Sequence, residues 1–245
     1  MLSYLIYRLH LNNRNDDAIK VLRNIAKWNK RTLPDDVTLP SNQSNVTVHR
    51  PNMLHLFKTR KTCIQTCVIM FVWLSTALMS YGLQFAASNL GGTVYENFIL
   101  LSAAGLPAAI VGAALAKFIG RKTPTVGVVL LGSITCFAIA GLPDRGAYKI
   151  ARLALGILGK FFGVTTFACL YIWTPEMYST NMRAVAMGVV QLTARVGSGL
   201  SPVVVRVGGC VPFVVIGIVS MLAAGMGCLL PETKGKHLKE GSDDD

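Results

Sequence analysis

From Cys63 to Leu230 the chain is almost wholly apolar, whereas residues 1–62 are polar and charged. About 20 consecutive apolar residues cross the hydrocarbon core of a bilayer as a helix. Six stretches of that length follow one another: Cys63–Leu83, Phe98–Leu115, Thr123–Leu142, Ile150–Trp173, Ala184–Val205 and Gly209–Leu230. The pattern predicts an all-α, polytopic membrane protein with three parts: a polar segment 1–62, a six-span domain 63–230 and a tail 231–245. Glycine and proline inside the stretches are no objection, because neighbouring helices satisfy the freed backbone groups.

Within the polar head, residues 13–30 have helical periodicity. Ala18, Val21, Leu22, Ile25 and Ala26 make one apolar stripe, with Asn15 and Asp16 as candidate caps. Residues 33–53 are rich in Pro, Asn, Ser and Thr and read as a linker. Met1–Leu11 is too short, and too interrupted by Arg8 and His10, to read as a cleavable signal peptide.

Charge sets the expected orientation. The chain is 52% hydrophobic and only 15% charged, with a formal net charge of +12; soluble domains average about 25% charged residues. Lys58, Arg60, Lys61, Lys117, Arg121, Lys122, Arg183, Lys234, Lys236 and Lys239 fall on one side of the six stretches. Arg145, Lys149 and Arg206, with Arg152 at a helix edge, fall on the other. The positive-inside bias puts both termini in the cytoplasm. The excess charge then reads as membrane anchoring, and nucleic acid is not an expected partner, since no basic motif with interleaved aromatics is present. Sequons at Asn42 and Asn45 would lie in the cytoplasm and stay unmodified.

Chemistry-bearing residues are few. The six cysteines lie in or at the spans without a metal-type pair, so they read as small packing residues and no metal is expected. His10, His49, His55 and His237 lie outside the spans, and no nucleophile–base grouping accompanies them, so neither an enzyme nor a cofactor is expected. Two cations inside the spans stand out instead. Arg195 and Lys160 each sit within an apolar stretch, where a charge costs about 2.5–3.5 kcal/mol on insertion scales. Either they face a polar cavity or ligand, or they are structural, snorkelling or bonded to carbonyls. Gln191 lies one turn before Arg195 on the same helix face, as a polar co-ligand or as interhelical glue.

Six motifs occur in order: DDAIKVLRNIAKWN in the head, SNLGG at 88–92, GRK at 120–122, TPEMYSTNMR at 174–183, ARVGSGLSP at 194–202 and PETKG at 231–235. Together they resemble the C-terminal half of the organic cation, anion and zwitterion (carnitine) transporter family, within the major facilitator superfamily, from about Arg14 to Gly235. The resemblance implies that the six stretches correspond to spans seven to twelve of a twelve-span fold, with substrate bound between two halves near the midplane. It implies secondary transport of a small organic ion in the plasma membrane. Arg195 and Lys160 align with basic positions of anion and carnitine carriers, which favours an anionic or zwitterionic substrate. Trp73, Tyr81, Phe167 and Tyr171 match positions where aromatics line the cavity; packing is the other reading of each. Glu176 and Arg183 match an ion-pair network on the inner side, and Arg121 a neighbouring gate motif. Three positions depart from the pattern: Gly105 and Lys117 stand where acids are usual, and Ser179 where proline is usual. The six preceding spans of the family have no counterpart in this sequence, so transport implies a missing N-terminal half or a second copy as partner. The competing readings are a non-transporting half acting as a membrane assembly or regulatory partner, and a truncated gene model of a longer protein.

Overall fold

The structure is a computed structural model, and it describes residues 15–28, 56–57, 59–90, 93–143, 148–179 and 182–234. The linker 33–53, the sequons at Asn42 and Asn45, all four histidines, and Lys58, Arg145, Lys236 and Lys239 fall outside them. The chain divides into two units, Met1–Arg50 and Pro51–Asp245. In the first, helix α1 spans Asn15–Trp28. It buries Ala18 and Ala26 and half-buries Val21, Leu22 and Ile25, as the apolar stripe predicts.

The second unit is a helix bundle. Its elements are α2 (Arg60–Phe85), a 3-10 turn (Ala86–Asn89), α3 (Val94–Ala103), α4 (Gly105–Phe118), α5 (Lys122–Gly141), α6 (Tyr148–Met177), α7 (Arg183–Arg206) and α8 (Val211–Gly227). Each predicted stretch is thus a helix, with ends shifted by a few residues. The second is interrupted at Ala104, so that α3 and α4 together make Val94–Phe118. Four of the six, α2, α3 with α4, α5 and α6, are long and apolar enough to cross a membrane. The shorter α8 has 17 residues. At 24 residues α7 is long enough, but Gln191, Arg195 and three hydroxyl side chains dilute its apolar character.

Helix α2 is the spine. It packs on α6, α7 and α8, and α5 packs on α6 and α8. One end of α2 anchors a buried cluster of Val68, Ile69, Val72 and Trp73 with Leu170, Trp173, Val190 and Ala223. The other end anchors Leu78, Met79 and Leu83 with Leu101, Cys136, Ile139, Phe213 and Ile216. In lipid, close approach between helices depends on small residues rather than on apolar driving force. Helix α4 shows this: its buried residues are Ala108, Gly112 and Ala116, one stripe at four-residue spacing. A Cβ on Gly112 would stand 2.6 Å from the Thr165 carbonyl oxygen of α6. That proximity lets Thr165 Oγ1 donate to the Ala108 carbonyl at 3.2 Å. Helix α7 meets α2 the same way, where a Cβ on Gly197 would stand 2.5 Å from the Leu74 carbonyl oxygen.

Candidate functional site

Tyr81 of α2, Phe167 and Tyr171 of α6, and Gln191, Ala194, Arg195 and Ser198 of α7 line one cavity of about 210 Å³. Five of the seven positions read as substrate-binding in the sequence therefore come together. The four-residue spacing of Gln191 and Arg195 puts both on the cavity side of α7. Gln191 Nε2 donates to Tyr171 Oη at 2.7 Å, so the amide fixes the ring as well as lining the space. Arg195 is exposed, and its guanidinium makes no hydrogen bond or ion pair among the described residues. No aspartate or glutamate lines the cavity. Two prolines bear on its walls. Pro175 and Pro202 have no N–H, so the carbonyls of Tyr171 and Ser198 lose their usual helical donors.

The other two positions sit behind the lining. Trp73 is fully buried. Its ring stands edge-on to Tyr171 with centroids 4.9 Å apart and is tilted against Phe167 at 5.6 Å. Its Nε1 donates to Thr174 Oγ1 at 2.9 Å. Trp73 is thus a backing for the two lining aromatics, because the α2–α6 contact closes over it. Lys160 Nζ donates to the Ser80 carbonyl at 3.0 Å and lies 5.6 Å from the centre of the Tyr81 ring. It is bonded to a carbonyl, as one of its two sequence readings had it, and touches the cavity through Tyr81.

A larger cavity of about 320 Å³ lies at the end of α5, lined by residues 140–143 with Arg152, Gly209 and Cys210. Arg152 is buried there beside the Phe213 ring, 5.8 Å from its centre. None of the residues that carry the family resemblance lines it, so the smaller cavity is the candidate site.

The second constellation joins the end of α6 to the start of α5 and to the segment after α8. Arg121 Nη2 donates to Glu176 Oε1 at 2.8 Å and Nε to Oε2 at 2.9 Å, while Nη1 donates to the Ala116 carbonyl at 3.0 Å. Thr233 Oγ1 donates to Glu176 Oε2 at 2.8 Å. Hydrogen bonding to Glu176 raises the Arg121 pKa, against the effect of burial. The expected pairing of Glu176 with Arg183 is corrected: among the described residues Glu176 pairs with Arg121. Arg183 starts the next helix and turns its Nε to the Tyr178 carbonyl at 3.3 Å.

Glu232, which the sequence reading passed over, is the second acid of this cluster. Its carboxylate accepts from the backbone N–H groups of Arg121 (3.0 Å), Lys122 (3.1 Å), Thr233 (3.0 Å) and Lys234 (3.1 Å). Two of these donors open α5, where a helix end favours an anion. Burial pushes the carboxyl up, but the four N–H donors outweigh it and hold its pKa below the usual range. Gly120 makes room: its φ is +141°, and a Cβ there would lie 3.1 Å from Glu232 Oε2. The signal for this site was the PETKG motif itself. No cluster of metal-ligating side chains occurs among the described residues.

A bundle of apolar spans, all helical among the described residues, with a cationic cavity and an ion-pair cluster joining helix ends, is the architecture of half a membrane carrier. The family model of the Major Facilitator Superfamily matches residues 21–202, and the chain belongs to that superfamily. Within it, the chain is 34% identical over 236 residues to mouse (Mus musculus) solute carrier family 22 member 7, covering 93% of this chain and 43% of the relative. It is 28% identical to the organic cation/carnitine transporter 2 of Rattus norvegicus, over 94% of this chain and 42% of that protein. It is 29% identical to human solute carrier family 22 member 13, over 93% and 41%. The chain therefore spans less than half the length of these curated relatives. Their family is one of transporters and not of enzymes.

Proposed function

We propose that this chain is the C-terminal, six-span half of a secondary transporter that carries small organic anions or zwitterions, carnitine-like in charge, by alternating access. The observation that carries this reading is the exposed guanidinium of Arg195 on a cavity without a carboxylate. A carboxylate about 4 Å from such a charge gains on the order of 4 kcal/mol at an effective dielectric constant near 20. Arginine also offers a planar fork for two-point carboxylate binding. Lys160 adds positive potential behind Tyr81, and the aromatic wall suits an apolar substrate body. The cavity's 210 Å³ is below the roughly 300–1,000 Å³ of complete small-molecule sites, which fits a half-site closed by a second six-span half or a second copy. In this reading residues 1–62 are a cytoplasmic loop segment and 231–245 a cytoplasmic tail, in the plasma membrane. The basic residues Arg60, Lys61, Lys117, Arg121, Lys122 and Lys234 at one end of the bundle support that orientation.

The test is uptake of a labelled small carboxylate, a zwitterion and a quaternary ammonium by cells expressing the whole protein. Uptake of the first two, abolished by Arg195→Asp and reduced at least about tenfold by Arg195→Gln, is the expected result. Anion uptake unchanged in Arg195→Asp overturns the role of Arg195. No uptake of any of the three overturns transport and favours a non-transporting assembly partner.

A further inference from the structure

The geometry points to Thr233 as a phosphorylation site that releases the Arg121–Glu176 cluster. The description of this cluster as a gate rests on the transporter reading; the modification and its structural consequence do not.

Thr233 follows α8 in the non-helical segment Pro231–Lys234 and is half-buried, not part of the sealed core. Protein kinases take their acceptor hydroxyls from extended or turn segments of this kind. The next residue, Lys234, is exposed, and Lys236 stands three positions after the acceptor. That pattern suits a kinase that reads basic residues after the acceptor. The segment lies at the end of the bundle where the basic residues gather, which is the side a cytosolic kinase reaches under the positive-inside rule.

The modification acts on the cluster in three ways. The γ-phosphoryl group of a nucleoside triphosphate passes to Thr233 Oγ1. The bond from phosphorus to the β,γ-bridging oxygen breaks, the nucleoside diphosphate leaves, and the hydroxyl proton goes to the kinase's base. Glu176 Oε2 then loses the donor that stands 2.8 Å away. In its place comes a group of about −1.5 to −2 charge with three acceptor oxygens, which repels the carboxylate. Arg121 shares that acceptor, its Nε bonding the same Glu176 oxygen at 2.9 Å. A guanidinium pairs with a phosphate in the same two-point fashion as with a carboxylate. Phosphothreonine therefore draws Arg121 away from Glu176, and the end of α6 loses its tie to the start of α5. Glu232 keeps its four backbone donors, so the segment stays docked while the ion pair exchanges.

The experiment uses the full chain in lipid nanodiscs, treated with a basophilic serine/threonine kinase and ATP. Phosphate is mapped by mass spectrometry, and the thermal midpoint is read before and after. Phosphate on Thr233, with a midpoint lowered by at least about 2 °C, is the expected result. Thr233→Ser should behave the same. Thr233→Val should take no phosphate at that position and show no kinase-dependent shift. Glu176→Gln should be phosphorylated but shift less than half as much, since its charge is already gone. Phosphate on other residues but not on Thr233 overturns the proposal, and so does phosphate on Thr233 with an unchanged midpoint. Neither readout involves uptake, so failure of the transport reading leaves the test intact.

Discussion

The guanidinium of Arg121 holds the carboxylate of Glu176 through two parallel hydrogen bonds, 2.8 and 2.9 Å long, across 55 residues of sequence. Both side chains are about one-fifth exposed, so water screens the pair only in part. Removing one partner leaves the other charge half-buried without its counter-ion, at a cost of about 2 kcal/mol. Glu176→Gln and Arg121→Gln should each lower stability by that amount. The double exchange, Glu176→Arg with Arg121→Glu, should recover part of the loss, read as thermal midpoints in nanodiscs. Reversing Arg183 with Glu176 should give no recovery.

The Glu232 carboxylate makes stability pH-dependent in a defined direction. Its pKa in the folded protein lies below the reference value of 4.5. The stabilisation is therefore fully present well above pH 4.5 and is lost as pH falls through the folded pKa. Midpoints of the wild type and of Glu232→Gln, measured from pH 7 down to pH 3, should differ at neutral pH and converge in acid. A constant gap across that range would refute the linkage.

Gly197 should tolerate no side chain. The Cβ of Gly197→Ala meets the Leu74 carbonyl oxygen at 2.5 Å and the Ala77 Cβ at 3.2 Å, so α7 must move away from α2. We expect a loss of about 1–3 kcal/mol and a shift of the whole cavity side of α7. Gly199, two residues on, has nothing within 4 Å. Gly199→Ala is the control that should leave stability unchanged or slightly raised.

Trp73 supports two cavity walls at once. Trp73→Phe keeps a ring but leaves Thr174 Oγ1, which is buried, without its 2.9 Å donor; a loss of about 1–2 kcal/mol follows. Trp73→Ala also removes the edge contact to Tyr171 and should cost about 3–5 kcal/mol. If Tyr171 lines a substrate site, both variants should raise KM more than they lower the maximal rate, as measured by uptake.

Lys160 separates a positioning role from a binding one. Its bond to the Ser80 carbonyl holds the α2 backbone next to Tyr81. Lys160→Arg keeps a donor and a charge, while Lys160→Met keeps only length. Partial uptake in the first and a rise in KM for all anions in the second are expected. Equal uptake in both would show that the charge is immaterial.

How much of this could be read from the chain depends on the range of the interaction involved. Hydropathy is a local property, and a helix in lipid must bury its own backbone polar groups. The run from Cys63 to Leu230 therefore determined six helical stretches and nearly their ends, but not the break of the second at Ala104. The four-residue spacing of Gln191 and Arg195 likewise put both on one face of α7 without reference to any other helix. The sequence alone also marked Lys160 and Arg195, because a charge in an apolar run is conspicuous wherever it is. What only the tertiary structure decided was partnership. That Glu176 takes Arg121 and not Arg183, that Glu232 caps α5, and that Trp73 backs Tyr171 each depend on how close two distant helices approach. Between α6 and its neighbours α2 and α5 the approach depends on glycines such as Gly163, whose missing Cβ makes room for Ser80, and Gly159, where a Cβ would stand 3.0 Å from Thr135 Oγ1; neither carries a side-chain signal of its own. Small residues fix the spacing between helices in lipid, and the spacing selects the pairs.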